Sequence, residues 1–359
     1  SWGHQNWHPW VAEEHRACRE RAAIFDMSSF AKLLLKGPDA RSALNAIIVN
    51  ELPNAAGATV YTGMLNDRGG YESDFTVTMI DHNEYMLVTG SAQAVRDRDV
   101  IERAFAALPG RPRCEVFDIT PMVAVIAVMG PLSRTLLQRA STDDFSSQGF
   151  PFGTSRVIDV GYATVRATRL TYVGELGWEL YVPVEFAVGV YEALMSAGDD
   201  LGVANAGYYA IDSLRLEKGY RAWGRELSPD INPYEAGLGF AVKLDKPDGF
   251  RGHAALAAMD PRKVKRRIVS LIVHAAHTNL WGGELILRDG EPVGSITSAA
   301  FGHTIGNPVA LGQVVRSDGA VDRAWIEAGR YEIDLAGECF PATVSLKAPY
   351  DPDSRRVKN

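Results

Sequence analysis

The chain has 359 residues and a mass of 39.1 kDa, too long for one small core and long enough for two or three domains. Hydrophobic content of 46% and charged content of 23% are ordinary for a globular enzyme. The net charge of −7 and a pI near 5.7 argue against a general nucleic-acid binder, which needs a basic surface to displace counterions.

The start, SWGHQNWHPWVAEEHRACRERAAIFDMSSF, has no basic n-region and no apolar h-region, so it does not read as a secretory signal. Trp2, Trp7 and Trp10 crowd into ten residues, an aromatic cluster suited to packing on a preceding stretch of a longer polypeptide. Residues 10–23 favour helix, with Val11, Ala17 and Cys18 on the buried side. FAKLLLKGPDA reads as a strand ended by Gly37-Pro38, and PDARSALNAII as a short helix. TVYTGMLNDRGGYESDFTVTMI is a hairpin around a glycine-containing turn. In its second strand the period of two puts Tyr71, Ser73, Phe75, Val77 and Met79 on one face, and Glu72, Asp74, Thr76 and Thr78 on the other. Aspartate is depleted inside strands, so Asp74 needs a reason to be there.

EYMLVTG is a further strand, and SAQAVRDRDVIERAFAAL a helix with Ser91 as the expected N-cap. MVAVIAVMGP is a strand leading to the helix LSRTLLQRA. TVRATRLTYVGELGWELYVP gives paired strands, with Gly174 and Gly177 bracketing Glu175, and leads to the helix EFAVGVYEALMSAG. AGYYAIDSLRLEKG is a helix ended by Gly219; on it Asp212 and Arg215 are neighbours and Glu217 points elsewhere. Beyond residue 265 short β-runs with turns such as Asp289-Gly290 spell an all-β C-terminal unit.

Several chemistries are not signalled: there is no GxGxxG after a strand, no P-loop and no GxSxG elbow. Cys18, Cys114 and Cys339 are far apart with no CxxC pair, against a disulfide framework or structural zinc and in favour of a reducing compartment. His274 and His277, three apart in a strand-like run, fall on opposite faces and with His303 make a poor metal set. No apolar run approaches the roughly 18 residues of a membrane span.

Taken in order, FDMSSFAKLLLKGPDA, YTGMLNDRGGYESDFTV, TYVGELGWELYVP, AIDSLRLEKGYRAWGRELSPDINPYEAGLGFAVKLDK and GSITSAAFGHTIGNPVALGQV resemble the tetrahydrofolate-dependent aminomethyltransferase family, the glycine cleavage T-protein and its relatives. The wording is most similar to the C-terminal folate half of dimethylglycine and sarcosine dehydrogenases and oxidases. The resemblance implies an α+β fold: a three-domain cloverleaf around a central folate cleft, two interleaved α+β domains of ferredoxin-like character and a C-terminal β-barrel. The expected bounds are 1–55 with 150–220, 56–149 with 221–265, and 266–359.

It also implies tetrahydrofolate as cosubstrate, and transfer of a methylene or methyl group from a small N-methylated amine, dimethylglycine- or sarcosine-like, or from its iminium. On the matching positions Asp74 is the catalytic carboxylate beside the reacting amine. Glu175 holds the pterin amino-pyrimidine edge, Arg215 gives electrostatic support, and Tyr61, Thr76 and Gly90 line the folate site. LVTGS stands where the glycine-cleavage proteins carry an asparagine, so contacts at Thr89 and Gly90 follow the dehydrogenase-like branch. Flavin enters only if another domain or subunit supplies it, so a flavoprotein partner is expected, with no nucleic acid and no membrane. The expected compartment is the cytoplasm, or the mitochondrial matrix in a eukaryote. The alternative is a non-catalytic folate-binding accessory or scaffold for a flavoprotein dehydrogenase; the KGCYxGQE-like motif of accessory relatives is replaced here by EKGYRAWGREL.

Overall fold

The computed structural model describes residues 5–358, so Trp2 of the aromatic start lies outside the described residues. Two sheets and a closed barrel organise the chain. The five-stranded sheet runs in the order Thr59–Leu65, Tyr71–Asp81, Glu84–Thr89, Ala31–Lys36, Glu115–Asp118, antiparallel throughout. The six-stranded sheet runs Ala204–Ala206, Ala23–Asp26, Val123–Met129, Gly177–Pro183, Ala163–Thr168, Ser155–Val160. The barrel closes through Arg266–Val273, Asn307–Val315, Glu291–Gly302, Leu285–Arg288, Tyr331–Leu335 and Glu338–Ser345. The α+β architecture with a C-terminal barrel is therefore the observed one. Asp289 and Gly290, at φ of 54° and 88°, form the two-residue turn between two barrel strands, where both central residues must be left-handed.

Pairing divides the chain at other points than the expected bounds. Strand Ala31–Lys36 joins the five-stranded sheet, between Glu84–Thr89 and Glu115–Asp118, rather than grouping with residues 150–220. Strand Val123–Met129 lies at the centre of the six-stranded sheet, between Ala23–Asp26 and Gly177–Pro183. Val123–Met129 is apolar on both faces and Ala31–Lys36 on one, and such short strands are read equally well into either sheet until their backbone partners are known.

Each sheet has one face under helices. Helices Ala40–Ile47 and Ala94–Ala106 cover the five-stranded sheet over Leu35, Phe75, Val77 and Leu87. Helices Ser133–Ala140 and Ala187–Ala197 cover the six-stranded sheet over Trp178, Leu180 and Val182. The remaining faces turn toward each other: Met86 and Val88 of one sheet pack with Phe25, Val125, Ala127 and Tyr181 of the other. Helix Tyr208–Glu217 closes one side and carries the barrel, through Leu216 on Ile268, Val309 and Leu311. It ends as expected, with Gly219 at φ 67°. Ser91 does not cap its helix. It opens a 3-10 turn, Ser91–Gln93, ahead of the α-helix from Ala94, and its hydroxyl bonds Ser29 at 2.9 Å. No helix among the described residues is long and apolar enough to cross a membrane.

Candidate functional site

Asp74 lies on the face that turns toward the other sheet. Its register partner is Gly63, and Tyr61, paired with Thr76, stands two residues along on the same face. Tyr61 donates its hydroxyl to Asp74 Oδ2 at 3.0 Å. The Asp74 side chain is half-buried and closely surrounded. Burial raises its carboxyl from 3.8 to about 6; the Tyr61 hydrogen bond opposes the rise and the charge of Asp97 adds to it. Burial, and then the Asp74 charge, also raises the Tyr61 phenol well above its ordinary range. An acid of this kind exchanges a proton near neutral pH.

Support comes from behind the sheet. Asp97, fully buried on helix Ala94–Ala106, accepts from the Ser73 hydroxyl at 2.5 Å, and the Thr89 hydroxyl lies 2.6 Å from the same oxygen. Thr89 also lies 3.2 Å from the carbonyl oxygen of Asp74. The residues flanking Asp74 along and across the sheet are thus tied to one buried carboxylate, and burial raises the Asp97 carboxyl as well.

The bulge between Met64 and Leu65 changes the face assignment read from alternation. Ser73 pairs with Met64 and Tyr71 with Leu65, leaving Glu72 as the extra residue. Tyr71 therefore shares the face of Asp74 instead of that of Ser73 and Phe75. Tyr172 is the third phenol here: its hydroxyl donates to the carbonyl of Arg221 at 2.9 Å, its ring stacks on Tyr220 at 6.0 Å, and it lies within the electrostatic reach of Asp74 and Arg215.

The other expected residues divide. Thr76 is half-buried beside Tyr61 and Asp74. Gly90 is half-buried at the end of the adjacent strand, but the atom a side chain there would meet is Oε1 of Gln93, at 2.2 Å. Arg215 is buried and turned into structure, pairing with Glu226 at 3.1 Å and Asp212 at 3.0 Å and donating to the Tyr220 carbonyl. Glu175, 1% exposed, accepts from Tyr350 at 2.6 Å, Arg356 at 2.9 Å and Arg19 at 3.2 Å. Arg19 bridges it to Glu217 at 3.0 Å. That network ties the first helix, the 169–176 loop and the C-terminal segment together.

Glu179, four residues on, is in the opposite situation. It sits in strand Gly177–Pro183, between Ala127 and Thr168, on the face of Tyr181 that meets the other sheet. It is 6% exposed, and the Tyr181 hydroxyl reaches it at 2.5 Å. Burial lifts its carboxyl to about 7. The sequence carried a signal for it: alternation along GWELYVP puts Glu179 opposite Trp178 and Leu180, a carboxylate on the second face of a strand covered on both.

His274, His277 and His303 do not come together. His274 bonds Thr343 at 2.8 Å, His277 meets Phe340 edge-on at 5.9 Å, and His303 packs among His8, His15 and Phe301. No group of three or more His, Cys, Asp or Glu suited to a metal occurs among the described residues.

Residues 2–246 match the model of the GCVT N-terminal domain, and residues 266–351 that of the glycine cleavage T-protein C-terminal barrel domain. The chain is 38% identical to mitochondrial sarcosine dehydrogenase of Homo sapiens, over 98% of this chain and 39% of that protein. It is 32% identical to the aminomethyltransferase of Saccharopolyspora erythraea, over 93% of this chain and 88% of that one. The glycine cleavage system aminomethyltransferase T of Bartonella henselae superposes with a TM-score of 0.80 at 27% identity, covering 94% of this chain and 89% of that one. The chain thus spans about two fifths of the length of the dehydrogenase and most of the length of the transferases. With both family domains present in order, it belongs to the glycine cleavage T-protein family.

Proposed function

We propose that this chain binds tetrahydrofolate beside Asp74, on the inner face of the five-stranded sheet, and transfers a one-carbon unit to it from an N-methylated amine or its iminium. The observation that carries the reading is Asp74: a half-buried carboxyl raised to about 6, on the inner face of the five-stranded sheet and hydrogen-bonded to a tyrosine. In its ionised form it accepts the proton of the attacking folate amine while holding that amine toward the carbon. Tyr61, Tyr172 and Thr76 supply ring and hydroxyl surface around it. Gly90 closes one end of the strand, and Arg215 acts indirectly, by fixing Glu226 and the 220 segment.

The pterin's amino-pyrimidine edge presents adjacent N–H donors, which a carboxylate matches. Glu179 supports this role better than Glu175, because Glu175 is already engaged by two guanidinium groups and a phenol while Glu179 has a single tyrosine. Oxidation of the amine belongs to a flavoprotein domain or subunit in this reading, and the likeness to sarcosine dehydrogenase supports such a partner.

The test is calorimetric titration with tetrahydrofolate, followed by incubation with an N-methylated amino acid, either alone or with a flavoprotein amine oxidase that generates the iminium, and identification of any folate product beyond that of a control lacking this chain. Micromolar binding and a new methylene- or methyl-folate species are expected. No binding ends the proposal; binding without any new folate species under either condition leaves the accessory role instead.

A further inference from the structure

Tyr71 is 0% exposed, yet its hydroxyl has no hydrogen-bond partner among the described residues. Buried hydroxyls are nearly always paired, so an unpaired one beside a functional acid needs a cause. Three features fix the ring. The bulge sets Tyr71 on the Asp74 face. Its backbone N–H is held by the carbonyls of Ile231 at 3.0 Å and Ser228 at 3.1 Å. Gly63, opposite Asp74, gives it room: a Cβ there would stand 2.5 Å from Cε1 of Tyr71, so the phenol lies across the position that faces the carboxylate.

Arg221 is the second group. Its Nε donates to the Ala236 carbonyl at 2.8 Å and one Nη to the Gly219 carbonyl, which pins the guanidinium plane. The other Nη lies over Gly237, 3.0 Å from where a Cβ would be. Among the described residues this arginine makes no ion pair within 4.0 Å. Asp74 and Arg221 both act electrostatically on the Tyr71 phenol, the first raising and the second lowering its proton affinity. An arginine with no carboxylate of the described residues within 4.0 Å, though within the electrostatic reach of Glu226, thus anchors on Ala236, which packs in the same cluster as Tyr71 and its unpaired hydroxyl.

We propose that Tyr71 and Arg221 form a subsite for an acceptor oxygen of the ligand that Asp74 serves. The guanidinium can only donate, and a phenol beside it donates as well, so the matching group is a carboxylate or carbonyl oxygen. This rests on the folate reading above. Two sources carry such an oxygen: the carbonyl of the reduced pterin, and the carboxylate of an N-methylated amino acid.

The test compares wild type, Tyr71→Phe and Arg221→Met, each by thermal unfolding and by titration with tetrahydrofolate and, separately, with sarcosine. Tyr71→Phe removes an unpaired hydroxyl, so its Tm should equal or exceed that of wild type. Its affinity should fall about 5- to 20-fold for tetrahydrofolate, for sarcosine, or for both. A loss for tetrahydrofolate alone names the pterin carbonyl, and a loss for sarcosine alone names the carboxylate. Arg221→Met should weaken the same ligand by about 10-fold or more. If Tyr71→Phe binds both ligands as tightly as a wild type that does bind tetrahydrofolate, the subsite is disproved. It is equally disproved if that variant melts several degrees lower with unchanged affinities. A wild type without folate affinity instead overturns the underlying function, a separate result.

Discussion

Replacing Asp74 by Asn gives opposite outcomes for stability and for chemistry. The Asp74 carboxyl stands at about 6 in the folded chain against an ordinary 3.8, with burial as the first cause. The folded state therefore binds this proton more tightly than the unfolded state does. The stability it contributes is fully present below pH 3.8, is lost as pH rises toward about 6, and stays lost above. At neutral pH the ionised form costs roughly 3 kcal/mol. Asparagine keeps an acceptor for the Tyr61 hydroxyl and removes the titration. Urea unfolding between about pH 4 and pH 8 should then show Asp74→Asn more stable than wild type by about 2–3 kcal/mol at the alkaline end, with the gap closing toward pH 4. Transfer should fall by about 10²- to 10⁴-fold with tetrahydrofolate affinity nearly kept, and the wild-type rate should rise through a midpoint near 6. A variant less stable than wild type near pH 7.5, or a gap that ignores pH, would refute the argument, because the carboxyl would then be stabilised by partners rather than strained by burial.

Glu179→Gln removes a buried carboxylate held at about 7; tetrahydrofolate affinity at pH 8 should drop about 10-fold or more by calorimetry while the fold persists. Glu175→Ala strips Arg19 of one of its two buried counterions and frees Arg356, so denaturant unfolding should register a loss of about 3–5 kcal/mol. Gly63→Ala forces a methyl to within 2.5 Å of the Tyr71 ring, and should cost about 1–3 kcal/mol in stability and lower folate affinity with it. Unchanged stability in Glu175→Ala would show that its buried ion pairs contribute nothing net.

Much of the fold was legible because local signals agreed with one another. Alternation marked the strands, Gly219 the end of its helix and Asp289-Gly290 a barrel turn, each a property of a few adjacent residues. Asp74 could be singled out for a similar reason: a carboxylate inside a well-formed strand contradicts propensity, and such contradictions gather at functional places. Its neighbour Tyr61 lies across a short hairpin, so local reasoning reached that as well.

What the tertiary structure alone decided depends on contacts distant in sequence. Strict alternation put Tyr71 on the wrong face, because a single bulged residue shifts the register and nothing in GGYESD announces it. Glu175 and Glu179 are four residues apart in one motif, and their roles are set by partners far away: Arg19, Tyr350 and Arg356 for the first, the face opposed to the other sheet for the second. A sequence specifies which side chains alternate and where the chain turns; which carboxylate is neutralised by a remote guanidinium, and which is buried without one, is fixed only when long-range packing brings the charges together.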